Sequence, residues 1–164
     1  MMENDHIVSI LRSLNVSISD NILYDIQLNL DKNTHKKNHI SFLIDTQTHK
    51  ILSYGFNYFF HSNVFPWSMH SEVHTILKYY KKRVNTKNKK ILVALRLTKK
   101  GYISMSKPCT ACANFIKHNY DNLHLSFVYY SYKDINNYPR LKKLNKQTLM
   151  SETFQRSSGY THRL

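Results

Sequence analysis

The stretch Ile91-Leu92-Val93-Ala94-Leu95 is the most apolar run of the chain, and it decides the predicted fold. A short apolar run without polar alternation is typical of a strand in the centre of a sheet, where other layers cover both faces. The run from Leu123 to Tyr130 predicts a second strand, and a helical segment separates the two. A strand, a helix and a strand in this order predict a parallel pair joined by a right-handed crossover.

The segments before this unit predict a hairpin and two helices. Residues 40–44 and 51–57 are β-rich runs, and the polar segment 45–50 separates them, which predicts an antiparallel hairpin. Residues 5–15 carry apolar side chains at helical spacing, and residues 16–37 predict a second helix or a turn. The sheet is therefore expected to be mixed, with four to five strands.

The length of 164 residues predicts one domain, a three-layer α/β/α sandwich with helices on both faces of the sheet. Its core is expected to span residues 39–131, with residues 1–38 forming a helical segment that packs on the core. Apolar residues at helical spacing within 141–149 predict a further helix, so residues 132–164 are expected to form a C-terminal helix and a basic tail.

The chain is strongly basic, with 24 Lys and Arg against 10 Asp and Glu and a formal charge of +14. Such a balance is typical of proteins that bind nucleotides or nucleic acid. An AT-rich genome would encode a lysine-rich protein whatever that protein binds. The charge therefore leaves open whether it serves binding or only reflects the composition of the genome. Residues 78–83 and 85–90 form a basic connection, for which two interpretations also stay open: it lines a path for phosphates, or it is a solvated run of charge.

Two cysteines in a chain of this size favour a reducing, cytoplasmic compartment, where a C-x-x-C pair serves metal or redox chemistry. The acidic N-terminus does not resemble a signal peptide, and no apolar run is long enough for a membrane helix. We therefore expect a cytoplasmic protein with no membrane partner.

Two short stretches carry the chemistry: Met69-His70-Ser71-Glu72-Val73 and Lys107-Pro108-Cys109-Thr110-Ala111-Cys112. Together they supply an imidazole, a carboxylate and two thiolates. A catalytic zinc site uses three protein ligands and keeps its fourth position open, which predicts that His70, Cys109 and Cys112 bind one Zn2+. Glu72 then remains free to transfer a proton.

Both stretches also predict the start of a helix. Ser68 is a suitable N-cap for a helix that begins near Met69, and Pro108 suits the first position of a helix that contains both cysteines. Two helix N-termini would then face the metal. Their free N–H groups and positive dipole ends favour thiolates over thiols.

The pattern H-x-E followed by P-C-x-x-C is the signature of zinc-dependent nucleobase deaminases. Over residues 39–131 the chain resembles the cytidine and deoxycytidylate deaminase superfamily. The resemblance implies a cytidine-deaminase-like fold, one Zn2+ per chain and Glu72 as the catalytic proton relay. It also implies hydrolytic deamination of cytosine in a nucleotide such as dCMP, or of cytosine or adenine in single-stranded nucleic acid. Superfamily members that act on free nucleotides are often oligomeric, so a homo-oligomer is compatible with it.

The resemblance also implies two substrate contacts on strands. Gly55-Phe56-Asn57 resembles the G-x-N at the end of the family's second strand, where the asparagine hydrogen-bonds the substrate. The alternative is that Asn57 closes the strand with an Asx-turn. Tyr130 occupies a position like that of an aromatic residue beside the base in polynucleotide cytidine deaminases, although a strand residue there serves equally well in the core.

Three residues next to the motifs complete the expected substrate-binding set. Trp67 lies in an aromatic-rich loop before His70 and is expected to stack on a base, although such residues are often core. Ser71 stands where the family usually has alanine or valine, and its backbone N–H is expected to face the base. Pro108, beside Cys109, is the third.

Two functions of other classes also fit the motifs. Pro-Cys-Thr-Ala-Cys at residues 108–112 after a strand resembles the active site of a thiol-disulfide oxidoreductase, although that function leaves His70 and Glu72 without a role. The chain also fits a non-catalytic module that is stabilised by zinc and binds RNA through its basic surface.

Overall fold

A computed structural model of the chain describes residues 5–32, 38–60, 67–84, 86–98, 100 and 102–151. In chain order, the elements of this part are α1 (Asp5–Ser13), α2 (Asp20–Lys32), β1 (Asn38–Asp45), β2 (Ile51–Phe56), β3 (Tyr58–Phe60), β4 (Trp67–Met69), α3 (Ser71–Lys81), β5 (Lys90–Leu97), β6 (Ile103–Ser104), α4 (Thr110–Asn119), β7 (Leu125–Lys133), β8 (Pro139–Leu144) and α5 (Lys146–Ser151). Among these helices, none combines the length and the apolar character that a membrane crossing requires.

The main sheet is mixed, and β5 lies at its centre. The strands follow the order β2-β1-β5-β7-β8, and the short β6 also pairs with β5. β5 runs parallel to β7 and antiparallel to β1. The outer pairs, β1 with β2 and β7 with β8, are antiparallel. The apolar run at 91–95 is buried throughout because both of its faces are covered.

Helices cover both faces of this sheet. On one face, α1 and α2 form a core with the strands, and its buried members include Ile7, Leu11, Ile26, Phe42, Val93 and Leu95. On the other face, α3, α4 and α5 form a second core, with Leu43, Ile76, Leu92, Ile116, Val128 and Leu149 among its members. The helices that carry the two motifs therefore share one face of the sheet.

The predicted α/β sandwich with a mixed central sheet is confirmed, as are its hairpin and its parallel pair of strands. The sheet has one short strand more than the four to five expected. Thr98 N–H donates to Tyr102 O at 2.8 Å, and the additional strand β6 pairs antiparallel with β5.

The helix predicted within residues 141–149 is wrong for its first part, because residues 139–144 form β8 and only residues 146–151 are helical. Leu141 packs towards the α1–α2 core, whereas Leu144 belongs to the opposite core. Strand residues three positions apart point to opposite faces. Both faces of this sheet are covered, so a spacing typical of a helix also fits a strand.

Candidate metal centre

His70, Cys109 and Cys112 come together where α3 and α4 begin. Their ligand atoms all lie within 4.8 Å of one another. His70 Nδ1 lies 3.1 Å from Cys112 Sγ and 3.4 Å from Cys109 Sγ. One imidazole nitrogen and two sulfurs at these separations could hold a metal ion.

Both helices begin two residues later than the sequence predicts. α3 begins at Ser71 with His70 as its N-cap, and α4 begins at Thr110 with Cys109 as its N-cap. Ser68 lies in β4 and Pro108 precedes the N-cap, so neither has its predicted helical position. The Cys109 sulfur caps its own helix, because it accepts a hydrogen bond from Cys112 N at 3.4 Å.

The consequence is that two candidate ligands are themselves N-caps. The positive ends of α3 and α4 therefore face the cluster directly, which stabilises negative charge on the sulfurs.

Gly55 allows α3 to approach β2 closely. A Cβ atom at this position would lie 2.8 Å from Thr75 N and 2.9 Å from both Thr75 Oγ1 and His74 Nδ1. Real Cβ atoms do not approach backbone nitrogen this closely, so any side chain at residue 55 would push α3 outwards. The glycine thus determines how closely α3, and His70 at its N-terminus, packs on the sheet.

A row of buried hydroxyl groups fastens α3 to the hairpin. Thr75 Oγ1 donates towards Ser71 O at 2.8 Å and Ser41 O at 3.1 Å. Ser53 Oγ donates to Thr75 O at 2.9 Å, and Ser41 Oγ lies 2.7 Å from Ser71 Oγ. These polar groups are buried and partnered, so they hold the first turns of α3 in one position.

A second group of serines positions the cysteine segment. Ser106 Oγ donates to Ala94 O at 2.6 Å and accepts from Ser131 N at 2.7 Å. Ser131 Oγ donates to Ser104 O at 2.6 Å. The segment before Cys109 is therefore attached to both β5 and β7, at the carboxyl end of β5.

Glu72 lies beside the cluster and is buried, with 4% of its surface exposed. Its Oε2 accepts from Ser71 Oγ at 3.3 Å and from Cys112 Sγ at 3.8 Å. Burial raises the pKa of the Glu72 carboxyl group, because desolvation disfavours the charged form. A raised pKa suits a group that takes up a proton and releases it again.

The two thiols differ in acidity. Hydrogen bonds from the Cys112 side chain, from His70 and from Cys112 N lower the pKa of Cys109 to about 4, although burial opposes the shift. The hydrogen bond to Cys109, burial and the nearby Glu72 carboxylate raise the pKa of Cys112. Cys109 is therefore the first of the two to become a thiolate.

His74 is not part of the cluster. Its Nδ1 lies 3.1 Å from Phe56 O and 3.2 Å from Phe56 N, and its ring contacts the ring of Tyr58 at a centroid distance of 4.8 Å. Burial lowers the pKa of His74. His74, one helical turn after His70, thus serves the packing of α3 on the hairpin.

Two of the expected substrate contacts have structural partners. Asn57 Oδ1 accepts from His39 N at 2.7 Å, which ties the end of β2 to β1. Tyr130 is 4% exposed and packs in the core beneath α3 and α4, and β7 continues past it to Lys133. A role for either residue in substrate binding stays a prediction.

The other three lie close to the metal cluster in sequence. Ser71 is fully buried, and its hydroxyl group is paired with Ser41. Pro108 is buried immediately before Cys109. Trp67 is part of β4, and its side chain lies outside the described part of the chain.

The residues that position the ligands were not predicted from the sequence. Gly55 could have been found, because a glycine inside a strand often marks a close approach of another backbone. Ser41, Ser106 and Ser131 give no local signal, since their hydroxyl groups matter only through partners distant in sequence.

Comparison of the sequence with protein-family models and with curated proteins finds no match in either set. The metal cluster is therefore supported by its own geometry, and the family resemblance by the spacing of its motifs alone.

Proposed function

We propose that this protein is a zinc-dependent hydrolytic deaminase of a nucleobase, acting on cytosine in a nucleotide such as dCMP or in single-stranded nucleic acid. One observation carries the proposal. The buried carboxylate of Glu72 lies 3.8 Å from Cys112 Sγ. It is therefore next to the three candidate metal ligands, whose ligand atoms lie within 4.8 Å of one another. A metal-binding cluster with an adjacent proton carrier is the arrangement that this hydrolysis requires.

The donors fit zinc better than other common ions. One imidazole and two thiolates suit zinc, whereas magnesium and calcium prefer oxygen ligands. In a tetrahedral zinc site, the nitrogen and sulfur ligands lie about 3.6 Å apart. The distances of 3.1 and 3.4 Å from His70 Nδ1 to the sulfurs are close to this value. Zinc held here would supply the Lewis acidity that makes water a nucleophile near neutral pH.

Glu72 would move the protons of the reaction. Its carboxylate takes a proton from water and delivers it to a ring nitrogen of the base. The oxygen of water bonds to C4 of cytosine and the C4–N bond breaks, so uracil and ammonia are the products. The hydrogen bond from Ser71 Oγ helps to orient the carboxylate.

The charge of +14 supports an anionic substrate, either a nucleotide or a single-stranded polynucleotide. Asn57, Trp67, Ser71, Pro108 and Tyr130 are the residues that we propose for base and sugar recognition. A homo-oligomer is compatible with this function.

The first test measures zinc content and ammonia release with purified protein on a panel of nucleosides, nucleotides and single-stranded RNA and DNA. We expect about one zinc per chain and deamination of at least one cytosine substrate. Glu72→Gln should lower kcat by about 10²–10⁴-fold and retain zinc, because it removes the proton carrier but no ligand. Asp31→Asn, which removes an exposed carboxylate on α2, should behave as wild type. A wild-type protein that releases no ammonia from any substrate would contradict the proposal.

A thiol-disulfide oxidoreductase is the second candidate, since the thiol of Cys109 has a pKa of about 4 and caps α4. The same purified protein separates the two functions. A protein that contains no zinc and catalyses the reduction of insulin disulfides, with Cys109 and Cys112 as the reacting thiols, would favour the oxidoreductase. Zinc that resists reductant and leaves only with a chelator would favour the deaminase.

A further inference from the structure

A polar groove lies at the opposite end of the sheet from the metal cluster. It has a volume of about 840 Å³, and it lies where β5, β7 and α5 begin and α4 ends. The residues that line it include Lys87, Lys89, Asp121, Phe127 and Lys146. Cys109 and Tyr120 cap opposite ends of α4, so about 16 Å of helix separates the cluster from this groove.

The charged residues that line the groove are mainly positive. Lys87, Lys89 and Lys146 line it, and Asp121 is the one carboxylate among its lining residues. Lys146 Nζ lies 2.7 Å from Asp121 Oδ1, so this pair is neutral, and the ammonium groups of Lys87 and Lys89 define the field of the groove. Both of these side chains are exposed to solvent.

Aromatic rings lie on the sheet next to these lysines. Phe127 lines the groove, and its ring meets that of Tyr129 edge-on at a centroid distance of 6.4 Å. Both rings are half-buried. Lys143, on the paired strand β8, places Nζ 3.7 Å from the centroid of the Phe127 ring. A half-buried ring beside flexible ammonium groups offers a single strand a surface for a stacked base and partners for its phosphates.

Hydrogen bonds from Lys90 and Thr46 hold the loop that carries Lys87 and Lys89 in place. The buried Lys90 donates from Nζ to Thr86 O at 2.8 Å and to Asn88 O at 2.9 Å. Thr46 N donates to Lys89 O at 2.9 Å. The loop is therefore preorganised, and binding does not have to order it.

We propose that this groove binds a single-stranded polynucleotide, with Lys87, Lys89 and Lys143 on its phosphates and Phe127 against a base. The proposal concerns a site apart from the metal centre and does not depend on the reaction there. Charge complementarity selects this ligand, because ammonium groups beside an aromatic ring favour a polyanion with stacking bases over an apolar partner.

The test uses the zinc-loaded full chain and fluorescence anisotropy of labelled 15-nucleotide single-stranded RNA and DNA, with salt varied from 50 to 200 mM. The variant K87A/K89A/K143A removes two charges that line the groove and the charge that lies over the Phe127 ring. The matched control K32A/K100A/K133A removes three exposed charges elsewhere. We expect the groove variant to weaken binding by about tenfold or more and to lower the slope of log K against log salt by about 2, because three phosphate contacts are lost.

Phe127→Leu should weaken binding by about fivefold or more with an unchanged salt slope, because a leucine packs against the sheet but does not stack on a base. Thermal unfolding of each variant checks that it is folded. Equal weakening by the control triple variant, no binding by the wild type, or self-association in place of binding would overturn the proposal. RNA and DNA arms of equal affinity indicate recognition of phosphates and base faces, and a preference for one indicates recognition of the sugar as well; both support it.

The outcome is separate from that of the deaminase test. A protein that binds single strands through this groove but releases no ammonia supports the groove and contradicts the deaminase. A protein that deaminates dCMP but whose affinity for single strands is unaffected by K87A/K89A/K143A gives the opposite result.

Discussion

At Gly55 a single missing side chain controls the position of the candidate metal centre. The backbone nitrogen of Thr75 occupies the space where a Cβ would be, at 2.8 Å. A backbone atom cannot rotate away as a side chain can, so a larger residue must displace the whole helix. His70 and Glu72 lie at the start of this helix and would be displaced with it.

We predict that Gly55→Ala lowers the free energy of unfolding by about 1–3 kcal/mol through overpacking. It should also weaken zinc binding, because His70 moves relative to the cysteines. Urea unfolding and competition with a chelating dye measure the two effects. Ser53→Ala is the matched comparison on the same strand: it loses one of the hydrogen bonds to α3 without adding volume, at a cost of about 1 kcal/mol, so its zinc affinity should fall less than that of Gly55→Ala. Normal zinc affinity in Gly55→Ala would contradict this account of the glycine.

At the scale of the elements, Asp45 joins the β1–β2 turn to the loop before β5. Its Oδ1 accepts from Gln47 N at 2.8 Å and from Thr48 N at 3.0 Å, and its Oδ2 accepts from Asn88 Nδ2 at 2.9 Å. Burial on its own would raise the pKa of Asp45, but these hydrogen bonds outweigh it and the pKa is lowered from 3.8. The charged form is thus more favoured in the folded chain than in the unfolded chain.

A lowered pKa predicts the direction of the pH dependence. The contribution of Asp45 is fully present above pH 3.8, the value in the unfolded chain, and is lost as the pH falls through the lower folded value. We expect Asp45→Asn to be less stable than the wild type by about 1–3 kcal/mol at pH 7 and the gap to narrow below about pH 4. Urea unfolding in chelator at pH 7, 5, 4 and 3 measures the gap without a contribution from metal. A gap that stays constant with pH would contradict the assignment.

For the whole molecule, the metal cluster links the hairpin side of the fold to the crossover side. α3 is fastened to β1 and β2, whereas the cysteine segment is fastened to β5 and β7. His70 and Cys109 are 39 positions apart, and they meet because both helices begin at the same edge of the sheet. A metal bound there adds a cross-link between the two halves.

We predict that removal of zinc lowers the melting temperature of the wild type. At free zinc about 1,000-fold above the dissociation constant, binding contributes about 4 kcal/mol, which corresponds to a shift of about 8–16 °C for a domain of this size. Calorimetry with and without a chelator measures the shift. Cys112→Ala lacks one ligand, so its melting temperature should respond much less. An equal response of both proteins would show that the chelator acts elsewhere.

Local patterns in the sequence were sufficient for the class of fold and for the chemistry of the motifs. Apolar runs with strand and helix periodicity predict the sandwich, the hairpin and the central strand at 91–95, because burial on one or two faces leaves a local signature. The spacing of His70, Cys109 and Cys112 likewise predicts a set of metal ligands, and the position of Glu72 predicts a proton carrier beside them.

Only the tertiary structure could decide where α3 and α4 begin, that residues 139–144 form β8, and which serines hold the ligands in place. Only the tertiary structure shows that His70 Nδ1 lies 3.4 Å from Cys109 Sγ. It also shows that lysines from separate segments line one groove. The physical reason is that these features arise from contacts between residues far apart along the chain. A helix cap, a strand pairing or a buried hydrogen bond takes its partner from packing, which local propensity does not encode.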